Sequence, residues 1–363
     1  MYLLSFFGNV GKIYKIVTFW FKMKNLENSN LSWKERKILK ELDVDARQSA
    51  AGIGHKLGMS KQVVNYHVEN MIKKGFIKEF ITYVDTNKLG YTFYNVLVKM
   101  KYTTTGDKAR IVNRLKAVPN VVWASSLRGE YQMIVSILAS DVGEFSMYLD
   151  DVLNSFSGKL LDYSFFIVIS ASQLGYKKIH SSKKGGDNYH AKVGHKDLAS
   201  LSDNDLKVLR LLANNAKMST VNLAKRSGLT LEKVRYSIKK LEKEKVVQGY
   251  KPLLDVSKLG FIWNVMFLSL KTSSEEQREE MSNYLKKLPE IFYVVRGVGN
   301  CNLMIEFQTK TSEEFEKVKE KVSNRFSNLI ADEKTVQLIE EHKCTYFPGS
   351  LGKEKFINMF RYE

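Results

Sequence analysis

Cysteine, proline and long uncharged apolar runs are all scarce in this chain. Two cysteines, Cys301 and Cys344, among 363 residues are too few and too far apart for a disulfide framework or a four-cysteine zinc site, and they suit a reducing cytoplasm. Only four prolines and no long low-complexity run argue against a disordered polymer. The most apolar stretch, MYLLSFFGNVGKIYKIVTFWFKMKN, is interrupted by Lys12 and Lys15 before it reaches the roughly 18 uncharged residues of a membrane span. Its other lysines, Lys22 and Lys24, follow the apolar part, the reverse of a secretory signal. Residues 1–30 therefore read as an apolar and basic extension of a soluble protein, either an extra amphipathic helix or the product of a start site upstream of Met23. Walker phosphate loops, nucleophile elbows and zinc-protease motifs are missing as well, so the common nucleotide and hydrolytic chemistries have no signature.

Positive charge, by contrast, is plentiful. The net charge of +18 makes a polyanion the expected partner and nucleic acid the leading one. It is unevenly spread: +3 over residues 31–87, +2 over 88–172, +4 over 173–200, +6 over 201–257 and −2 over 258–342.

That uneven charge lies on a repeat. At an offset of 170 residues, Leu31 and Ser32 fall on Leu201 and Ser202, Gly58 on Gly228, Lys88, Leu89 and Gly90 on Lys258, Leu259 and Gly260, and Gly129 on Gly299. In the first copy Ser32 and Glu35 form a capping box ahead of a helix with Trp33, Ile38 and Leu42 near one face. Gly58 supplies the positive φ for a sharp helix exit. Ser60 caps a third helix whose Val64, Val68, Met71 and Ile72 follow helical spacing. The second copy repeats the plan with Ser202 and Asp205, Gly228, Thr230, then Val234, Ile238 and Leu241. A short β ribbon through FIKEFITYVD completes a winged helix-turn-helix.

The remainder of each copy reads βαββαβ, a ferredoxin-like unit. Its sheet leaves one face open, expected to carry Val96 and Val98 and to be buried by the other copy. The fold class is thus α+β: winged helix-turn-helix domains at 31–87 and 201–257, ferredoxin-like domains at 88–172 and 258–342, a basic flexible linker at 173–200 and a tail at 343–363. Docking of the tail on the second ferredoxin-like half is the simplest guess. His180, His190 and His195 in the linker are spaced too widely and irregularly for a zinc pattern, so no metal or other cofactor is expected.

The segments KILKELDVDARQSAAGIGHKLGMSKQVVNYHVENMIKKGFI and KVLRLLANNAKMSTVNLAKRSGLTLEKVRYSIKKLEKEKVV, the hinges VDTNKLG and LDVSKLG, and the loops RGEYQMIV and VGNCNLMI resemble the Lrp/AsnC transcription regulators. The resemblance covers Leu31 to about His342. It implies a DNA-binding regulator, no enzyme, in which the pair usually made by two chains forms inside one polypeptide, with further self-association left open. It also implies an amino-acid-like effector near Gly129, Gln132, Gly299 and Asn302. An acidic residue usually stands where Gln132 and Asn302 are, so the carboxylate for an ammonium group is missing. Contacts to double-stranded DNA are expected from Lys61, Gln62, Asn65 and Tyr66 in the first copy, and from Lys233, Arg235, Tyr236, Lys239 and Lys240 in the second. Gln and Asn suit adenine edges and Arg suits guanine. Two alternatives stay open: a haem-pathway decarboxylase of the siroheme type on the same fold, and an architectural DNA-binding protein. Met100, Trp123 and Phe165 are either pocket lining or core.

Overall fold

The computed structural model describes residues 30–181, 189–192, 198–349 and 351. Expectations for residues 1–29, for His195 and the neighbouring linker stretches 182–188 and 193–197, and for 352–363 lie outside the described residues.

In the first copy, α1 (Trp33–Val44) opens on the Ser32–Glu35 capping box, α2 (Ala50–Leu57) ends on Gly58 at φ 66°, and α3 (Lys61–Lys73) is capped by Ser60. Strands and helices then follow as β1 (Ile77–Val84), β2 (Thr92–Met100), α4 (Thr105–Ala117), β3 (Val121–Arg128), β4 (Met133–Ala139), α5 (Val142–Phe156), β5 (Leu160–Gln173) and the short β6 (His190–Lys192). The second copy runs α6 (Asp203–Asn214), α7 (Thr220–Ser227), α8 (Leu231–Lys243), β7 (Val247–Leu254), β8 (Ile262–Leu270), α9 (Glu275–Leu285), β9 (Ile291–Gly299), β10 (Leu303–Thr309), α10 (Ser312–Arg325) and β11 (Ile330–Cys344). Two residues expected on buried faces are not there: Trp33 is 57% exposed and Ile72 44%. The buried stripe of α1 is instead Glu35, Ile38, Leu39 and Leu42, and the Lys37 ammonium lies 4.9 Å from the Trp33 ring centroid.

The ribbon after each helical unit differs from the sequence expectation. Each unit contributes a single strand, and β1 pairs antiparallel with β7, placing Ile81 opposite Lys251 and Thr82 opposite Tyr250. The ribbon therefore forms between copies and ties the two helical units together.

Each ferredoxin-like unit forms a four-stranded sheet, β5-β2-β4-β3 in the first copy and β11-β8-β10-β9 in the second. The long strands β5 and β11 overrun their own sheets. β11 pairs with β8 over its first part and with β3 over its second, while β5 does the same with β2 and β9. Both sheet ends are thereby joined and the eight strands close into a barrel, which removes the sheet edges that would otherwise invite pairing with other chains.

The barrel corrects one assignment of faces. Val96 and Val98 point outward under α4 and α5, in a core with Ile111, Leu115, Phe145 and Val152. Phe93, Asn95 and Leu97 belong to the inner face instead. Both faces of β2 are apolar, so alternation marks two sets of residues without saying which set faces the helices.

The described part of the linker is packed. Leu174, Tyr176 and Ile179 are each 1% exposed, and His180 is also buried. Its lysines make internal bonds: Lys177 Nζ donates to Lys286 O at 2.9 Å, and Lys178 pairs with Glu290 at 3.0 Å and with Glu314. The start of the tail runs along the first ferredoxin-like half, with Thr345 N donating to Val122 O at 2.8 Å and Gly349 N to Pro119 O at 3.1 Å. It then packs Phe347 into the second helical unit. Tyr346 reaches Tyr293 of the second ferredoxin-like half, but the backbone bonds of the tail are made to the first.

Candidate nucleic-acid interface

Ser60 and Thr230 each accept a hydrogen bond from the backbone three residues on, at 3.2 and 3.3 Å, and so fix where α3 and α8 begin. Val64 and Met71 hold α3 to its unit, while Val234, Ser237 and Leu241 hold α8. The opposite faces are open. Lys61, Gln62, Asn65 and Tyr66 are exposed on α3, and Lys233, Arg235, Tyr236 and Lys239 on α8. Tyr66 and Tyr236 occupy equivalent positions with 66% and 69% exposure. A large aromatic left that open on each helix suits contact with sugar, base or phosphate.

Lys240 behaves differently from its neighbours. Its ammonium donates to Asp205 Oδ2 at 2.9 Å and to Ser200 O at 2.7 Å, and Ser237 Oγ donates to the same aspartate at 2.7 Å. Burial raises the Asp205 pKa, but the bonds from Lys240, Ser237 and Ser202 outweigh it and bring the carboxyl down to about 2. The first copy builds the same brace from other residues: Glu35 accepts from Asn70 Nδ2 at 3.1 Å and lies 3.7 Å from Lys74. In each copy the third residue of the first helix thus clamps the third helix, α3 or α8. Lys240 serves that clamp and has little freedom to meet phosphate.

The two units form one body. Ala46 N donates to Tyr250 O at 2.8 Å and, 170 residues on, Ala216 N donates to Phe80 O at 3.0 Å. Arg47 Nη1 donates to Ala216 O at 2.6 Å and Met218 O at 3.0 Å. The Arg47 guanidinium lies over the Tyr250 ring at 5.2 Å, and Lys217 over the Phe80 ring at 4.8 Å. With β1 paired to β7, these bonds hold α3 and α8 in a fixed mutual relation.

The effector candidates sit where the two sheets join. Gly129 has φ 138° and Gly299 φ 123°. A Cβ on Gly129 would lie 3.0 Å from Val336 Cγ1 on β11, and one on Gly299 would lie 2.9 Å from Phe165 O on β5. Both glycines are therefore needed for the crossing of one copy over the other. Gln132 Oε1 accepts from Met100 N at 2.7 Å, and Asn302 Oδ1 accepts from Leu270 N at 2.8 Å, so both amides brace a neighbouring strand. Beside them lie two equivalent pockets. One, of about 400 Å³, includes Met100, Lys108, Arg128, Gly129 and Gln132; the other, of about 290 Å³, includes Leu270, Arg278, Arg296 and Asn302 but not Gly299.

Trp123 instead lines a cavity at the barrel centre that sequence reasoning missed, and Phe165 is 38% exposed. The missed signal was Glu306, an acidic residue inside the fully buried strand LMIEFQT.

A sequence profile for winged helix-turn-helix DNA-binding domains matches residues 34–78 and 201–248. An HTH-type transcriptional regulator of Pyrococcus horikoshii is 30% identical over 129 residues, 35% of this chain and 80% of the relative. An HTH-type transcriptional regulator of Mycobacterium tuberculosis is 32% identical over 124 residues, 33% of this chain and 81% of the relative. The regulatory protein AsnC of Haemophilus influenzae is 27% identical over 123 residues, 33% of this chain and 79% of the relative. Among solved structures, the siroheme decarboxylase NirDL superposes with a TM-score of 0.55 at 13% identity, covering 90% of this chain and 99% of the other, which establishes a shared architecture. With its exposed recognition helices and its barrel of two ferredoxin-like units, the chain belongs to the Lrp/AsnC family of helix-turn-helix transcription regulators.

Proposed function

We propose that this regulator reads an asymmetric DNA site with two unlike helices held in one chain, and that a small molecule bearing a carboxylate tunes it. The observation carrying the first part is the open face of α3 against that of α8. Asn65 is matched by Arg235, Gln62 by Glu232 and Glu69 by Lys239. Asn and Arg favour different base edges, so equivalent positions read different bases. The closed barrel makes the pair within a single chain, so reading DNA needs no second copy.

The side pockets favour an anionic effector group. Gln132 and Asn302 supply no charge to an ammonium, whereas Lys108 and Arg128 in one pocket and Arg278 and Arg296 in the other are cationic. Arg296 and Arg278 already share Glu275, at 3.2 and 2.9 Å, which leaves the first pocket the freer of the two.

The regulator reading includes no catalytic role. The central cavity, with Glu306 and Glu341 and no Lys, Arg or His in its lining, does not suit a tetrapyrrole carboxylate, which would need basic side chains around it. Such side chains stand instead in the side pockets proposed for the effector. The protein would work in the cytoplasm beside its DNA. Among the described residues no helix is long and apolar enough to cross a membrane.

Electrophoretic mobility shifts on genomic fragments test the reading. Discrete retarded fragments, with affinity falling steeply as salt rises, are the expected outcome. Uniform coating of all fragments would favour an architectural role, and no retardation at low salt would end the proposal.

A further inference from the structure

We infer that the cavity at the centre of the barrel is a binding site for a short alkylammonium ion, held by Glu306 and Glu341 against aromatic walls. The cavity measures about 80 Å³ and lies between the inner face of the barrel and the β1–β7 ribbon, which contributes Ile81, Tyr83 and Leu253. An engineered apolar cavity of about 150 Å³ accepts benzene, so this one suits about three non-hydrogen atoms.

Its polar groups are oriented and incompletely used. Trp263 Nε1 donates to Glu306 Oε2 at 3.1 Å, and Trp123 Nε1 to Glu341 Oε1 at 2.9 Å. Glu306 is only 4% exposed, and the indole leaves its Oε1 without a partner among the described residues. Glu341 Oε2 is buried and has none either. The remaining wall is largely aromatic, with Tyr83, Phe93, Tyr293 and Tyr346 prominent. Ring faces and carboxylates together form the setting that recognises an organic cation.

The repeat shows that the fold does not require these acids. In the other half, Glu306 is matched by Ser136, which donates to Asn95, and Glu341 by Ala171. The same strand positions are thus filled there without a carboxyl. Burial, reinforced by the neighbouring Glu341, pushes the Glu306 carboxyl up to about 8, and burial raises Glu341 as well. Near neutral pH the empty cavity therefore holds a protonated Glu306, and an entering ammonium displaces its proton. Tyr293, Cys344 and Glu79 are the other acidic groups near this pair, and Lys78 is the nearby cation. Affinity should rise with pH above neutrality, until the amine itself loses its proton near pH 10.

Calorimetric titration of the full-length protein with ethylamine and with ethanol, at about pH 8.5, tests this. The amine is expected to bind about tenfold or more tighter than the alcohol. Glu306→Gln should erase that preference and leave alcohol binding alone. Equal affinity for amine and alcohol reduces the cavity to an apolar void and overturns the inference. So does an absence of amine binding up to about 10 mM, or an amine preference that survives in Glu306→Gln, which would place the amine elsewhere. If Glu306→Gln fails to fold, the ratio in the unmodified protein still decides. DNA retardation in the same preparations keeps the two readings apart: retardation without amine binding sinks this inference alone.

Discussion

At the end of α1, Asp43 is fully buried, with His180 Nε2 at 3.0 Å from its Oδ2, Tyr176 N donating to the same oxygen at 3.0 Å, and the Lys251 ammonium 3.7 Å from its Oδ1. At the equivalent place in the second half stands Ala213, 5% exposed, and the counterpart of Lys251 is Ile81, 3% exposed. One half closes the junction of helix, ribbon and linker with charge; the other closes it with methyl groups. Both halves keep the caps at Ser60 and Thr230, the turns at Gly58 and Gly228, and the bonds from Ala46 and Ala216 to the opposite strand. Duplication has preserved the backbone connections and released the side chains between them. The exposed faces of α3 and α8 and the central cavity are where the two copies differ in the groups they present.

The sharpest way to break the comparison is at Asp43. Asp43→Ala would leave Lys251 and His180 buried without their carboxylate, with an expected loss of about 3–5 kcal/mol by chemical denaturation. Ala213→Gly, the matching change in the other half, should cost only about 1 kcal/mol, the helix propensity difference. Equal losses would mean that the buried charges contribute nothing beyond shape.

Next come the readers. Asn65→Ala and Arg235→Ala should each weaken DNA binding by about 1–3 kcal/mol and relax base preference in only one half of the site. Relaxation in both halves from a single change would show that the helices are not assigned one half-site each.

A smaller effect is expected from the clamps. Asp205 has a lowered pKa in the folded chain, so its contribution is present above the unfolded value near 3.9 and disappears as pH falls from about 5 toward 2. Asp205→Asn should therefore cost about 1–2 kcal/mol at neutral pH and almost nothing at the acid end, read from denaturation midpoints across that range. Smallest is a contrast between neighbours. Lys239→Gln should lower the slope of log affinity against log salt by about 0.9 with stability unchanged. Lys240→Met should reduce stability and leave that slope alone.

What could be read from the sequence was local. Capping boxes need residues three apart, a helix exit needs one glycine, and the 170-residue offset compares each copy with itself, so helix ends, element order and the repeat were all accessible. Closure of the barrel was not, because β3 meets β11 across pairs such as Arg128 and Gln337, far apart in the chain and carrying no mutual signal. The same limit explains the lysines: composition cannot tell that the Lys177 ammonium meets the Lys286 carbonyl or that Lys240 meets Asp205. The ribbon was misplaced because one strand's alternation does not name its partner. Glu306 was visible as an acid following the apolar run LMI, but the indole that holds it comes from a different strand.

Selection of bound sequences from a random duplex pool tests the central claim most directly, because it reads both helices at once in one intact chain. Two dissimilar half-sites in fixed spacing, each altered separately by the Asn65 and Arg235 substitutions, are the predicted result. A perfect inverted repeat, unchanged in either half by those substitutions, would contradict it.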